Sequence, residues 1–188
     1  MITLITATLP ERRHLFADLA RSVALQTLPP QAWLVEWDYE HRGPVEVINN
    51  LVEQVETEWF FRIDDDDLLE HDHFDTLKPY LTDEADIVYS WCRVEGQGST
   101  RLFQRPFSTE RLKVENYIPS AAAIRTSLWR DLGGYEQAER TPHEDYDFWL
   151  RALEAGARFV CVPIQTWVYR MGDWAHRSEH SSFVLPGT

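Results

Sequence analysis

The sequence contains few cysteines and no long apolar run. Only two of its 188 residues are cysteines, Cys92 and Cys161, and each lies in a short apolar segment typical of a strand. This pattern predicts two buried free thiols in a reducing compartment and argues against a disulfide-stapled secreted domain. No apolar stretch approaches the ~18 residues that a transmembrane helix needs. The first residues, MITLITATLPERR, lack the basic and then apolar order of a signal peptide, so we expect a cytoplasmic protein.

Positive charge is also scarce. The net charge of −13 argues against a protein that coats nucleic acid without regard to sequence. Residues 53–75 carry ten acidic residues against one arginine, a net of −9, whereas residues 93–130 carry seven basic residues against three acidic ones, a net of +4. The chain therefore has an acidic centre and a basic segment. Its length and its apolar fraction of 44% predict one globular domain with a sizeable core.

Strand and helix patterns alternate in the first half of the chain. Apolar, β-branched and aromatic residues predict strands over 2–8, 33–37 and 59–63, and apolar residues at helical spacing predict a helix in each interval between them. This order is typical of a parallel sheet wound with crossover helices. In such sheets ligands bind at the carboxyl ends of the strands.

The second half has a mixed pattern. Strands are predicted at 86–94, 101–103, 120–124, 158–162 and 165–170, with a hairpin turn over 96–99. We expect Thr126 to cap a helix that Gly133-Gly134 ends. The segment Thr141-Pro142-His143-Glu144 matches a capping box for a helix that ends at Gly156 and exposes Asp147. The sequence predicts one α/β domain with a parallel half and a mixed half.

Four aspartates, Asp64 to Asp67, follow the third predicted strand without a break. They repel one another and suit neither a strand nor a helix interior, which indicates a functional site. Carboxylates at a strand end suit a hard divalent cation such as Mg²⁺ or Mn²⁺. A helix–loop–helix calcium site is excluded, because its required Gly and Glu positions hold Leu69 and Asp75. A solvated acidic loop stays open as the alternative.

Five segments in order give the chain a family resemblance. They are SVALQTLP at 22–29, the strand leading to Asp38, the strand and Asp-x-Asp at 59–66, HEDYDFWLRALEAGARFVCVP at 143–163 and VYRMGDWAHRS at 168–178. Together they resemble the family 2 glycosyltransferases of the GT-A fold, over nearly the whole chain. The resemblance implies a single Rossmann-like GT-A domain over residues 1–188, with a donor nucleotide and metal half at 1–84 and an acceptor half at 85–188. It also implies metal-dependent transfer, usually with inversion, of a sugar from a nucleoside-diphosphate sugar, with a UDP-sugar favoured, to an acceptor hydroxyl.

The resemblance assigns the metal ligands by position. Asp66 is implied as a ligand of Mn²⁺ or Mg²⁺, and Asp64 as a contact of the ribose or, through water, of the metal. His176 matches a late histidine that completes the metal shell in many members, although it stands farther from Tyr169-Arg170 than is usual. Imidazole is an acceptable Mn²⁺ ligand. His71 and His73, near the aspartates, are the alternatives.

The resemblance also implies the donor nucleotide site. Thr8 matches the threonine of the first strand that frames the nucleotide, although Leu9-Pro10 replaces the usual Tyr-Asn. Asp38 matches the acid after the second strand, with Glu36 as its alternative and a surface turn acid as the structural alternative for both. Asp65 stands where the family usually has a small residue, and Arg170 matches a position that can meet the donor phosphates or only close the sheet edge.

Glu144 and Asp145 match the Glu-Asp pair that contains the catalytic base. Because Glu144 would stand third in the capping box, we expect its side chain to cap the helix. Asp145 is therefore the predicted base and Glu144 the alternative. Both stand at a predicted helix N-terminus, where the helix dipole favours the ionised form that a base requires.

The acceptor is predicted from charge. Arg101, Arg105 and Arg111 in the basic segment favour a polyanionic acceptor, such as a phosphate-bearing glycan or a hydroxylated base in DNA. Trp91 and Trp129 are candidates for stacking a sugar or an extruded base, with burial as the alternative for each. A solvated surface with isolated arginines is the alternative for the whole segment.

Two other classes of function are compatible with parts of the sequence. A nucleotidyltransferase shares the metal chemistry, but it needs a glycine-rich phosphate loop after the first strand, and TATLPERR contains no glycine. A non-catalytic sugar- or metal-binding module would not need Glu144 and Asp145 opposite the metal.

Overall fold

The computed structural model describes residues 1–96, 103–136 and 143–172. Within them the strands are Ile2–Thr8 (β1), Ala32–Trp37 (β2), Trp59–Arg62 (β3), Leu68–Leu69 (β4), Ile87–Gly96 (β5), Ala122–Arg125 (β6) and Phe159–Met171 (β7). The α-helices are Arg13–Ala24 (α1), Pro44–Glu53 (α2), His73–Leu77 (α3), Thr109–Leu112 (α4), Thr126–Asp131 (α5) and Glu144–Glu154 (α6). Short 3₁₀ turns lie at Pro10–Arg12 and Lys78–Tyr80.

One seven-stranded sheet runs through the molecule in the order β2-β1-β3-β6-β5-β7-β4. Strand β1 is parallel to β2 and β3, and β5 is parallel to β7. Strand β6 is antiparallel to both of its neighbours, β3 and β5, and β4 is antiparallel to β7. Strands β1, β2, β3, β5 and β7 therefore share one direction, and their carboxyl ends meet at one edge, called here the carboxyl edge.

Helices cover both faces of this sheet. Successive strand residues point to opposite faces, so Phe60 packs with the residues of α2, α5 and α6, whereas Trp59 and Phe61 pack with those of α1 and α3. Strand β3 is buried on both sides for this reason, as expected for a central strand of an α/β fold. The buried strand leads directly into Asp64–Asp67 and fixes their position.

The predicted strands and crossover helices of the first half are confirmed, and so is their parallel arrangement. In the second half, the strands predicted at 158–162 and 165–170 form the single strand β7, whose register against β5 shifts between Ser90 and Cys92. The described neighbours of β5 are β6 and β7, and the predicted hairpin turn and its second strand fall mainly on residues outside the described ranges. Gly133, Gly134 and Gly156 all have positive φ angles at helix ends, as predicted.

Two predictions about helix starts are wrong. Thr126 is the first helical residue and Arg125 is the cap, while the Thr126 hydroxyl donates to the Thr57 carbonyl oxygen at 2.8 Å. Helix α6 begins at Glu144 with His143 as its cap, so Glu144 is the first helical residue and not the third residue of a capping box.

Asp147 and Cys161 also differ from their predicted environments. Asp147 is buried and not exposed, and it pairs with Arg151 at 2.7 Å one helical turn later. Both cysteines are free thiols as predicted, but only Cys92 is buried, whereas Cys161 is partly exposed. The described residues contain no helix with the length and apolar character that crossing a bilayer requires.

Candidate active site

The carboxyl edge brings together residues from distant parts of the chain. Thr8 ends β1, and its carbonyl oxygen accepts a hydrogen bond from the Asp38 amide after β2 at 2.8 Å. The four aspartates follow β3, and the start of α6 reaches them through an ion pair between Arg62 and Glu144 at 3.1 Å. The arrangement brings residues from the first and second parts of the chain together at one edge of the sheet.

The side chains or the backbone of arginines contact each of the four aspartates. Nη2 of Arg12 lies 2.7 Å from Oδ1 of Asp65 and 2.6 Å from Oδ2 of Asp66. Nη2 of Arg62 lies 3.2 Å from Oδ1 of Asp64. The backbone N–H of Arg170 donates to Oδ1 of Asp67 at 3.0 Å. The acidic loop, defined as Asp64–Asp67, is therefore held to the rest of the fold by arginine contacts.

Asp65 supports this loop from within. Its side chain is almost fully buried, and the Thr8 hydroxyl donates to its Oδ2 at 2.5 Å while Arg12 contacts its Oδ1. Thr8 is buried as well, with its hydroxyl committed to Asp65. The two residues bind each other and tie β1 to the loop after β3, while their contact with the donor stays a prediction.

The acidic loop carries more negative charge than its surroundings neutralise. Burial raises the pKa of Asp65 to about 6, and hydrogen bonding to Thr8 and the Arg12 charge only partly oppose this effect. Burial and the neighbouring Asp64 raise the pKa of Asp66, and burial and the charges of Asp66 and Asp64 raise that of Asp67. An additional cation at this loop would therefore stabilise the ionised carboxylates.

The donor set fits a hard divalent cation at Asp64 and Asp66. Both offer carboxylate oxygens, and the side chains are 43% and 15% exposed, so an ion can reach them. The described residues do not contain a group of three or more His, Cys, Asp or Glu side chains arranged to hold a metal. His176 lies outside those residues, and further ligands would have to come from there, from water or from a bound phosphate.

The two alternative histidines have different surroundings. His73 is fully buried, and its Nδ1 lies 2.8 Å from the Thr166 hydroxyl. Burial lowers the pKa of His73 to about 3, so its ring is a neutral core group. His71 is an exposed side chain whose ion-pair contact is with Asp72 at 4.0 Å.

Arg62 connects the aspartates to α6, and it was not among the predicted site residues. Only 6% of it is exposed, and it contacts Asp64, Glu144 and the ring of Tyr135, whose centroid lies 5.3 Å from its guanidinium carbon. The contact explains why Glu144 does not cap its own helix. A signal for Arg62 was present in the sequence, because it is the one charged residue in the apolar strand WFFRI.

Asp145 lies beside Glu144 at the first turn of α6. Its Oδ1 accepts hydrogen bonds from the Tyr146 amide at 2.7 Å and from Nδ2 of Asn116 at 3.4 Å. Burial and the adjacent Glu144 raise the pKa of Asp145 to about 7, while the Arg62 charge acts in the opposite direction. A carboxylate with this pKa is suited to exchange protons near neutral pH.

Glu36 near the end of β2 and Asp38 directly after it belong to a local cluster around Arg42. Asp38 is buried, and its carboxylate accepts the amides of Gly43 at 2.9 Å and Arg42 at 3.0 Å. Although burial alone would raise the pKa of Asp38, these hydrogen bonds lower it below its usual value. The Arg42 guanidinium also pairs with Glu36. The structure thus places both acids at the carboxyl edge and gives them a role in shaping the loop, while nucleotide contact stays a prediction.

Two arginines near the acidic loop have unused donors. The Arg170 guanidinium contacts Asp18 at 3.1 Å and the Asp66 carbonyl oxygen. Its Nη2 is buried and, within the described ranges, has no hydrogen-bond partner. Nε and Nη2 of Arg12 are also buried without a hydrogen bond, although Nη2 lies within ion-pair distance of Asp65 and Asp66. Buried donors of this kind are costly unless an acceptor arrives, so both are suited to an anionic ligand.

The predicted acceptor residues have diverse environments. Trp129 is buried against Phe60 and Tyr135, which agrees with the alternative given for it above. Trp91 is partly exposed on β5. Arg105 is 45% exposed and lies 3.4 Å from Glu115.

The basic segment does not form one surface in the described part of the chain. The Arg111 guanidinium lies over the Tyr117 ring, 5.9 Å from its centroid. Arg125 and Arg130 lie at the edge opposite the aspartates, where Arg125 pairs with Asp86 and Arg130 donates to the Val55 carbonyl oxygen at 2.8 Å. Arg101 lies outside the described residues.

Comparisons with known proteins identify the fold. No protein-family model matches the chain. No curated protein matches it in sequence. The structure is similar to that of S. aureus TarS 1-349 in complex with UDP-GlcNAc, with a TM-score of 0.75 and 15% identity over 95% of this chain and 61% of that one. It is also similar to the mannosyltransferase PcManGT from Pyrobaculum calidifontis in complex with GDP-Man and Mn²⁺, with a TM-score of 0.68 and 15% identity over 93% of this chain and 58% of that one. The chain thus spans about three fifths of the length of these structures, and its fold is of the GT-A type.

Proposed function

We propose that this chain is a metal-dependent, inverting glycosyltransferase that moves a sugar from a nucleoside-diphosphate sugar to an acceptor hydroxyl. The observation that carries the proposal is the joining of two acidic groups by Arg62. Its guanidinium contacts Asp64 in the acidic loop and Glu144 at the start of α6, each within 3.2 Å. A cation-binding group and a candidate base are thereby held across one shared edge.

The donor would bind on the acidic loop. Asp66 and Asp64 would hold Mn²⁺ or Mg²⁺, which supplies a positive charge that stabilises the negative charge developing on a diphosphate leaving group. Arg170, with its buried unused donor, would contact the diphosphate. Solved structures of this fold with UDP-GlcNAc and with GDP-Man and Mn²⁺ support a donor of this class, and a UDP-sugar is favoured here by the resemblance of the sequence.

Asp145 would act as the base. Its raised pKa of about 7 leaves a substantial ionised fraction at neutral pH and gives it the basicity to accept a hydroxyl proton as the acceptor oxygen attacks. Glu144 is engaged by Arg62 and would orient the site. The division of labour between the two acids is the one predicted from the sequence, although the capping box on which that prediction rested is absent.

The acceptor proposal is narrower than the one made from the sequence. A polyanionic acceptor, such as a phosphoglycan or a hydroxylated base in DNA, would now depend on Arg105 and Arg111, together with Arg101 outside the described residues. Trp91 is the remaining aromatic candidate. The exposure of Arg105 is compatible with an anion, because its pairing with Glu115 is a surface contact that competes weakly.

The test is a screen for release of free nucleoside diphosphate. The protein is incubated with UDP-, GDP- and TDP-sugars and Mn²⁺ or Mg²⁺, with Asp66→Asn and Asp145→Asn as matched controls. We expect one sugar nucleotide to release its diphosphate with the wild type and with neither variant. Release of pyrophosphate from a nucleoside triphosphate and a sugar phosphate would instead indicate a nucleotidyltransferase. Binding without any turnover would indicate a non-catalytic module.

A further inference from the structure

Arg12 occupies a position in the acidic loop that a divalent cation would also favour. Its Nη2 lies within 2.7 Å of one carboxylate oxygen from Asp65 and one from Asp66. Asp66 is also the proposed metal ligand. The side chain reaches this position from the 3₁₀ turn Pro10–Arg12, directly after β1, and is only 17% exposed.

The contact implies competition. A guanidinium that bridges two carboxylates satisfies part of the charge that would otherwise attract a metal ion. A divalent ion bound to Asp66 would lie close to this positive group and repel it. Metal binding to the free protein must therefore either displace Arg12 or be weakened by repulsion between the ion and the guanidinium.

Arg12 also has a reason to move toward a diphosphate. Among the residues that the structure describes, its buried Nε and Nη2 make no hydrogen bond, and Nη2 is held only by its ion pairs with Asp65 and Asp66. Once a metal neutralises Asp66, the guanidinium loses one of its two ion-pair partners, and the diphosphate is the anion that arrives with the metal. Arg is suited to phosphate because its planar donors can bind two oxygens at once.

We infer that Arg12 is an internal counter-cation of the donor site, which holds the acidic loop in the free protein and exchanges its Asp66 contact for the donor's diphosphate when metal and nucleotide bind. The inference rests on the proposed metal and donor site. Arg12, which lies outside the aspartate motif, would then have two opposite effects. It would weaken the binding of metal alone and strengthen the binding of nucleotide together with metal.

The experiment measures both affinities by titration calorimetry, without turnover. Mn²⁺ alone and UDP in saturating Mn²⁺ are titrated into the wild type and into Arg12→Gln. The variant is expected to bind Mn²⁺ alone about tenfold more tightly and UDP about tenfold more weakly, from the usual strength of one charged hydrogen bond. The matched control is Arg13→Gln, because the neighbouring Arg13 lies over Trp37 at 5.4 Å. It is expected to match the wild type in both titrations.

A second variant covers the case in which Arg12→Gln does not fold. In Arg12→Lys the ammonium can still bridge two carboxylates but lacks the paired phosphate donors, so the Mn²⁺ affinity should stay near the wild-type value while UDP binding weakens. Unchanged affinity for UDP in Arg12→Lys, or for Mn²⁺ alone in Arg12→Gln, overturns the inference. If the wild type binds both ligands and Arg12→Gln behaves as Arg13→Gln, only the inference fails. If the wild type binds neither ligand, the proposed function fails.

Discussion

The two edges of the sheet pair acids with arginines and reach opposite electrostatic results. At the amino edge, opposite the aspartates, Asp86 accepts hydrogen bonds from Nε and Nη2 of Arg158, both at 2.8 Å, and these hydrogen bonds lower its pKa. At the carboxyl edge, burial keeps the pKa of Asp65 and Asp66 raised even though Arg12 contacts both. An acid whose pKa is lowered by its arginine partner stabilises the fold through that ion pair. Acids whose pKa stays raised beside arginine donors without hydrogen bonds indicate a binding site.

Removing the negative charge of Asp66 at the carboxyl edge should have the largest effect on activity. Asp66→Asn is expected to abolish transfer, because it removes the proposed metal ligand, and to leave the fold intact, because it also removes repulsion with Asp64. Transfer is measured as nucleoside diphosphate release, and folding by circular dichroism. Full activity in this variant, or in the wild type with excess chelator, would contradict the metal proposal.

Asp145→Asn should lower turnover by roughly 10²- to 10⁴-fold while leaving donor affinity near its wild-type value, because a base acts in the transition state. The matched variant is Glu144→Gln, which keeps a hydrogen-bonding group opposite Arg62 and should retain partial activity. Steady-state kcat and a UDP titration separate the two effects. If Glu144→Gln is inactive and Asp145→Asn retains most of its activity, the two roles are reversed.

The raised pKa of Asp145 predicts a pH dependence. The base works when it is deprotonated, so kcat/KM should be near its plateau above pH 7 and fall by about tenfold per pH unit well below it. Arg62→Met removes a positive charge that lowers the pKa of Asp145. The inflection in the kcat/KM profile of this variant should therefore move to higher pH. A profile with the same inflection in both proteins would argue against Asp145 as the titrating group.

The amino edge should respond in stability and not in catalysis. Asp86→Asn is expected to lower the free energy of unfolding by about 1 kcal/mol at neutral pH, because it removes a charge-assisted contact with Arg158, and to leave kcat of the folded protein unchanged. Because the folded pKa is lowered, the contribution of Asp86 exists above its unfolded pKa of about 3.9 and disappears as the pH falls through the folded value. Chemical unfolding at pH 7 and pH 3 tests both statements. A loss of kcat in Asp86→Asn would show that the two edges are coupled.

The smallest effect is expected at the remaining basic surface. Replacing Arg105 and Arg111 by Ser should weaken a polyanionic acceptor by a few fold and flatten the salt dependence of transfer, while donor hydrolysis stays the same. Transfer rates between about 50 and 200 mM salt measure this effect. If a neutral oligosaccharide is a good acceptor and salt has no effect on transfer, these arginines are ordinary surface residues.

The sequence was sufficient to predict the parallel half of the fold and the position of the acidic loop. Apolar periodicity over 2–8 and 59–63 depends on burial alone, and burial follows directly from residue type. Helix starts were less predictable, because a cap depends on backbone angles: Thr126 lies one residue inside its helix, and Glu144 opens its helix instead of standing third.

The arginine contacts could not be read from the sequence. Arg62 and Glu144 are 82 positions apart, and the pairing exists only after β3 and α6 pack on the same sheet. The same applies to Arg12, whose contacts with Asp65 and Asp66 require β1 and β3 to lie side by side. Residue type predicted that a positive charge would be needed at the acidic loop, but not which side chains would supply it.

The position of β6 in the sheet determines how long one edge of β3 stays unpaired during synthesis. Strand β3 pairs with β1 on one side, but its other neighbour is β6, which ends at Arg125. The chain from the end of β3 to Arg125 takes about 3–13 seconds to make at synthesis rates of ~5–20 residues per second. During that time the β6-facing edge of β3 has no partner strand. An apolar strand with an unpaired edge is a template for association between nascent chains. The acidic residues that follow it would repel neighbouring chains during that interval, so the same four aspartates that form the candidate site would also protect its assembly.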